Sequence, residues 1–441
     1  MVYASICKRV IAFFVLFCSC SNLYSMVADN PYFPLFPRLY TGAHKNEFSI
    51  STDMVFMAGG EAFSAVPSAN PADRIIGYPA LFGKRVDKEG HLDLNEVDAA
   101  FQQLNNTGTL FTGGSFIPGR SADINIAAHL QAQMVSCAGN IPVAPNFSFG
   151  WSAFFMRTIG EARISLNIDA ADRLNLTEIS TTTGARVIKT SGQMEFAENL
   201  SKIQKALDMN DNVSREFGSG DVLLYGSWYL SEPYTWKCRV VDFSLAVGLM
   251  MPIGVQSNID NIASVPYGGQ GHWGFFAMPH LELELRDDLK VGMMVRLSKR
   301  LKKTRKIRVP ILNESPLFAP YKADVEINPG ITFGISPYIV FEHVRSGFGM
   351  ELRYTVAYHE SDEYYDNRIN KQRDMKLINL IPYSTWKQEY GTVKILYDMC
   401  YEKDVRFRPV FNVTWDIPLN YMTGENFGKT HAISLGCNFN F

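Results

Sequence analysis

Five histidines in the carboxy-terminal half, His272, His280, His343, His359 and His431, are the side chains best suited to moving protons near neutral pH. Hydrolysis would require a Ser or Asp beside one of them, an arrangement set by geometry and not by spacing along the chain. No Gly-x-Ser-x-Gly elbow occurs, and histidines scattered over loops and strand ends read as polar rim residues, so no catalytic residue is assigned. Arg85 to Glu96 sets Asp87, Glu89, Gly90, Asp93 and Glu96 at the offsets of a calcium loop, but Arg85 stands where the first ligand belongs and repels the ion. Asp93 and Glu96 read instead as a capping pair that opens a helix over 94–104. Beyond the first 28 residues, Cys137, Cys238, Cys400 and Cys437 are too scattered for a zinc site or a disulfide framework. No metal and no cofactor is expected.

The charges with a regular arrangement sit in stretches that alternate apolar and polar residues. Glu161, Arg163, Glu282, Glu284, Arg296, Glu326, Glu351, Arg353, Lys394, Asp398, Arg406 and Arg408 all fall on the polar side of such stretches. On the inner wall of a barrel they would set a transverse field that screens solutes by charge and size, or they would pair across the ladder and brace the wall. A second group, Lys299, Arg300, Lys302, Lys303, Arg305, Lys306 and Arg308, puts seven cations into ten residues. This basic loop is suited to gripping glycolipid phosphates or attracting anionic solutes, or it is simply a solvated connection.

The elements that must position these residues are strands. In the last eleven residues, Ile433, Leu435, Cys437, Phe439 and Phe441 alternate with Ala432, Ser434, Gly436, Asn438 and Asn440. The same period of two returns in Phe48 to Phe56, 124–134, 147–155, 162–168, 221–230, 236–250, 275–286, 289–299, 324–342, 348–358, 389–400 and 407–415, thirteen candidate strands in all. On this reading Ile124, Leu130, Ala132, Met134, Ala162 and Leu352 share the oily face with Phe407 and Leu435. Many of the stretches run to ten residues or more, the length a tilted strand needs to cross a bilayer and longer than a typical globular strand. Tight connections near 157–161, 232–234, 286–288, 344–346 and 402–404 alternate with long ones near 170–220, 252–272, 300–323, 359–388 and 417–429, as in outer-membrane barrels with short periplasmic turns. Single-chain barrels have an even strand count, so one strand is missed or invented, with 59–120 the suspect region. A second helix is expected over 193–207, as an outer cap or an inward constriction.

Composition agrees with this class. Hydrophobic residues make up 46% of the 441, aromatics 13%, and the formal net charge is -2, which lacks the basic excess of a nucleic-acid binder. Beyond the leader no run approaches the roughly 18 apolar residues of a spanning helix, so any membrane crossing must be made by a closed sheet. Lys8 and Arg9, the short apolar run Val10 to Cys18 and the following serines read as a signal peptide over 1–28. Residues 29–120 then form an amino-terminal segment with the first strand and a partly helical insertion, and 121–441 the remainder of one barrel domain. The fold expected is all-β, a closed antiparallel transmembrane barrel of 12 to 14 strands with long outer loops carrying short helices.

Gly220-Asp221-Val222-Leu223-Leu224-Tyr225-Gly226-Ser227-Trp228, then Pro252-Ile253-Gly254, then Gly268-Gly269-Gln270-Gly271-His272-Trp273-Gly274, resembles the outer-membrane transporters grouped with phenol-degradation pathways. More distantly the chain is similar to the long-chain fatty-acid channels. The resemblance covers roughly 218–300 and the general pattern of the carboxy-terminal half, and no part of the first 120 residues. It implies passive uptake of small, hydrophobic molecules through the bacterial outer membrane. The expected partners are solutes, membrane lipid, outer-leaflet glycolipid and, through the strand ending in Phe441, the barrel-insertion machinery, with no nucleic acid. An outer-membrane lipid hydrolase and a closed structural or adhesin barrel are the alternatives.

Overall fold

The structure, a computed structural model, describes residues 30–34, 48–63, 75–77, 92–93, 99–100, 103, 123–166, 177–180, 186–188, 190–209, 212–233, 238–312, 314–368, 371, 374–400, 407–421 and 424–441. The leader, the calcium-like stretch from 85 to 91 and Arg406 lie outside the described residues. Of the helix expected over 94–104, only 99, 100 and 103 are described, and all three are helical.

Twelve strands close into an antiparallel barrel. In chain order they are β1 (Ser49–Phe63), β2 (Asp123–Ala144), β3 (Phe147–Leu166), β4 (Val222–Pro233), β5 (Val240–Met251), β6 (Gly274–Arg286), β7 (Leu289–Arg300), β8 (Ile331–Arg345), β9 (Phe348–His359), β10 (Trp386–Asp398), β11 (Arg408–Pro418) and β12 (Phe427–Asn440). Neighbours in sequence are neighbours in the sheet. The seam is β1, which pairs with β12 from Ser49↔Asn440 to Phe63↔Phe427 and with β2 from Ser49↔Asn140 to Gly59↔Leu130.

The expected count of thirteen is corrected at β3. The stretches 147–155 and 162–166 belong to one continuous strand, Phe147–Leu166, and the turn expected at 157–161 is not there. Gly160 is a point of close approach: a Cβ at this position would run into the carbonyl of Ala263 on a loop inside the barrel. The real turn is at Pro145 and Asn146. A second correction falls on 324–342, which divides into a strand outside the barrel, Tyr321–Asn328, and β8. Short connections gather at one end, together with the start of β1 and the finish of β12. The β8–β9 turn there places Ser346 and Gly347 both at positive φ, the two-residue hairpin geometry that matches strand twist. The long connections gather at the opposite end, termed the mouth below.

Around the outside runs an apolar belt. Phe56 is 44% exposed, Leu352 41%, Ile395 51% and Leu435 52%, values that place them on the barrel's exterior and not in a core. Near the short-turn end, rings cluster: Phe441 lies 5.6 Å from Phe48 and 5.3 Å from Phe407. The oily-face assignment holds for Leu352, Phe407 and Leu435, but it is reversed on the mouthward halves of β2 and β3. Leu130, Ala132, Met134 and Ala162 are buried and face inward, while Gln131, Gln133 and Arg157 face out. These two strands are the longest of the twelve, and their hydropathy changes sides while the pleat continues unbroken.

What covers those inward apolar residues is the amino-terminal segment. Tyr32 and Phe33 pack with Val55, Met57, Leu130, Met134, Phe154 and Met156, joined by Val265 and Tyr267 from the β5–β6 connection. Backbone and side-chain bonds fix the segment: Gly428 N donates to Pro31 O (2.7 Å), Thr430 Oγ1 to Tyr32 O (2.7 Å), and Asn30 Nδ2 to Pro266 O (2.7 Å). Residues 30–34, with Pro31 and Pro34, are therefore a strap inside the barrel near the mouth.

Candidate functional site

On the wall formed by β6 to β11, alternate residues place charge inside. Glu282, Glu284, Arg296, Glu351, Arg353, Lys394 and, lower down, Asp398 and Arg408 take inward positions. Nearly all pair along their own wall. Glu351 lies 2.5 Å from Arg353 and 3.6 Å from Lys394, Asp398 is 3.2 Å from Arg408, and Glu284 is 3.5 Å from Arg239. Tyr338 Oη donates to Glu282 (2.6 Å) and lies 2.5 Å from His280 Nε2, its ring stacked on the imidazole. Gly292 between them makes room, since a Cβ there would meet the Tyr338 ring. Arg296 sits 5.0 Å over the Phe276 ring, a cation on an aromatic face within a cluster that includes Tyr225, Met250 and Met294.

Three expected lumen residues are elsewhere. Glu161 and Arg163 pair with each other (2.9 Å) on the outer face of β3, because the uninterrupted strand keeps odd positions outside. Glu326 belongs to the Tyr321–Asn328 strand outside the barrel and binds Lys302 (3.0 Å).

The basic stretch is not a solvated loop either. Lys303–Val309 forms a strand that pairs with Tyr321–Asn328, which in turn pairs with Glu363–Tyr365, giving a small sheet over the mouth. Its cations differ in burial, and not by alternation. Lys302 and Lys306 are exposed, while Arg308 turns in and donates to the carbonyls of Ile259 (2.8 Å), Ala319 (3.0 Å) and Leu207 (2.8 Å) and to Asp260 (2.8 Å). Leu207 directly follows the helix Thr190–Ala206, so the helix expected over 193–207 docks by its end onto this arginine. Lys299 holds Pro329 O (2.5 Å), Lys303 holds Gly271 O (3.0 Å), and Arg305 donates to Gln270 Oε1 (2.6 Å).

Arg300 ends β7 on the inward side and meets Asp221 at 2.9 Å, both almost fully buried. Asp221 also accepts from the backbone of Gly254 (3.0 Å) and Gly269 (2.6 Å), satisfying the carboxylate with three donors. Gly254 and Gly268 lie face to face with no room for a Cβ on either, and Gly269 lies under the Arg300 guanidinium. Three of the spaced glycines behind the family resemblance, Gly254, Gly268 and Gly269, thus converge on one buried ion pair. Period two carried two more steps along β7 from Arg296 would have identified Arg300 as inward.

Between strap, small sheet and β5–β6 connection lies a cavity of about 350 Å³. Tyr32, Trp386, Ile307 and Leu317 supply apolar lining, and Arg305, His272, Asn258 and Asp362 supply polar lining. Burial holds His272 down to about 4 despite its bond to the Leu301 carbonyl, so it is neutral at ordinary pH. Burial also lowers Arg305, to about 10. Thr332 Oγ1, His359 and Asp362 stand in a row, 2.7 and 3.0 Å apart. The hydroxyl is buried, His359 stacks on Trp386, and Asp362 accepts from Gly330 N (2.9 Å), so the row ties the β9–β10 connection to β8. Among the described residues no group of three or more His, Cys, Asp or Glu is placed to hold a metal ion.

No family model matches the chain, and no curated protein matches it. Among solved structures it is similar to an outer membrane channel from Pseudomonas putida F1, with 8% identity over 92% of this chain and 99% of the other and a TM-score of 0.46. A FadL homologue from Pseudomonas aeruginosa matches at 11% identity, 90% and 89% coverage and TM-score 0.28. The Pseudomonas putida toluene transporter TodX matches at 10% identity, 95% and 94% coverage and TM-score 0.28. Likeness this distant assigns no function to the chain.

Proposed function

We propose that this protein is a bacterial outer-membrane barrel that passes small solutes from the mouth to the short-turn end. The observation that carries the reading is the inversion of the usual globular order: aliphatic and aromatic side chains form a belt around the outside of a closed sheet while ion pairs and hydroxyls line much of the inside. Such a surface is costly in water and favourable in lipid, and only a closed barrel leaves no backbone group unpaired there. The long connections and their cations then face outward and the aromatic cluster at Phe441 sits at the inner interface. In this reading the chain is exported behind a cleaved leader, the strand ending in Phe441 is offered to the insertion machinery, and Lys302 and Lys306 face outer-leaflet glycolipid. The inner charges mainly brace the wall, because they pair along it.

The test is solute flux. Full-length protein folded into liposomes should admit small sugars, amino acids and aromatic compounds, read by swelling, and should conduct ions in planar bilayers. Correctly folded barrels that admit no solute would remove the transport reading and leave a closed structural barrel.

A further inference from the structure

We infer that the mouth cavity is a binding site for a compact organic monoanion, its carboxylate received by Arg305 and its ring or short chain lying against Tyr32 and Trp386. This rests on the transport reading and names the class of solute.

The cations around the cavity are not equivalent. Arg300 has Asp221, and Arg308 shares Asp260 with Lys322 (2.8 Å). Arg305 lines the cavity, is half-buried, and among the described residues makes one hydrogen bond, to the neutral amide oxygen of Gln270, with Asp362 and Tyr364 as its electrostatic neighbours. That oxygen is already shared with Ser257 N and Ser257 Oγ, both at 3.2 Å. The one carboxylate in the lining, Asp362, is taken by His359 and Gly330 N. A guanidinium has five N–H donors in a fork that matches a carboxylate, and an unpaired one is costly to hold away from water. Lys299 and Lys303, which hold Pro329 of the lining and Gly271 beside it, also rest on neutral carbonyls and add positive charge near the cavity, whose lining has the one carboxylate Asp362.

Size and lining narrow the class. A volume of about 350 Å³ lies at the small end of ligand pockets and suits a single-ring acid better than a long chain. The indole of Trp386, stacked on His359, and the phenol of Tyr32 add aromatic surface to the lining.

Benzoate is the probe, with benzyl alcohol as its neutral counterpart, on full-length protein in detergent micelles by equilibrium dialysis and in liposomes by swelling. The wild-type protein should bind benzoate and pass it in preference to benzyl alcohol. Arg305→Gln should weaken benzoate binding by about tenfold or more, as expected for loss of a charge-assisted hydrogen bond. Gln270→Glu keeps the Arg305 contact and supplies an internal carboxylate, so it should compete with benzoate and weaken binding comparably. If either folded variant binds benzoate as the wild type does, or benzyl alcohol binds as tightly, the monoanion site is overturned while a channel that still passes neutral solutes stands. If no solute passes at all, the channel reading fails, whatever the dialysis shows.

Discussion

Strands β12, β1, β2 and β3 turn Val55, Met57, Leu130, Met134 and Met156 toward the interior, whereas β6 to β10 turn in His280, Glu282, Tyr338, Glu351, Arg353 and Lys394. One barrel therefore has an apolar inner wall and a charged one. The apolar wall is covered by the strap at Tyr32 and Phe33, and its side chains need a dry partner. The charged wall satisfies itself: Glu351 has two cations and Tyr338 joins Glu282 to His280. What differs is how each wall keeps its inward groups from being stranded. One uses a separate piece of chain, the other a ladder of neighbours.

Substitution of adjacent residues on β2 is the sharpest way to break this contrast. Met134→Asp should cost about 5 kcal/mol or more, combining lost packing with an unpaired buried charge, while Gln133→Asp should stay within about 0.5 kcal/mol. Urea unfolding in micelles reads both, and the opposite ranking would mean that β2 had been turned inside out. On the charged wall, Glu351→Leu should cost about 3 to 5 kcal/mol, because Arg353 and Lys394 lose their shared carboxylate. Adding Arg353→Met should recover part of that loss in a double-mutant cycle, and strict additivity would count against a self-satisfied wall. Tyr338→Phe removes one hydroxyl from two partners and should cost about 1 to 3 kcal/mol.

The smallest effect is a pH dependence at the mouth. Burial sets His272 at about 4, below the ordinary value near 6.5 for a free histidine. The unfolded state therefore takes up a proton first, and this contribution to stability is present above about pH 6.5 and is lost as pH falls toward 4. Proteolysis of the β5–β6 connection should quicken across that window in the wild type and less so in His272→Gln.

The same two walls explain how much could be read from sequence. On β6 to β11, charged and polar side chains recur inside, beside the apolar cluster of Phe276, Met278 and Met294, and the apolar belt lies outside, so period two turns Glu282, Arg296, Glu351, Arg353, Lys394 and Arg408 inward. On β2 and β3 the environment changes along the strand. Mouthward of the belt, water is outside and the strap is inside, so oiliness marks the opposite face. Val135 beside Met134, and Phe155 between Phe154 and Met156, are the sequence trace of that change, apolar on both sides where belt and strap overlap. Glu161 and Arg163 were misplaced for this reason. The convergence of Asp221, Gly254, Gly268 and Arg300 left the glycines legible, since close approach excludes a Cβ, but nothing in the spacing named Arg300 as the partner. In the stretch of seven cations Lys302, Lys306 and Arg308 share a parity, yet only Arg308 is buried, so a period of two does not tell which cations turn in.

The seam between β1 and β12 joins opposite ends of the chain. Until those ends meet, each exposes a row of free amides and carbonyls, a tolerable condition in water and a severe one in hydrocarbon. For a barrel bound for a bilayer, ring completion and entry would be coupled, and the pairing of β12 with β1 would set when the sheet can leave the aqueous phase.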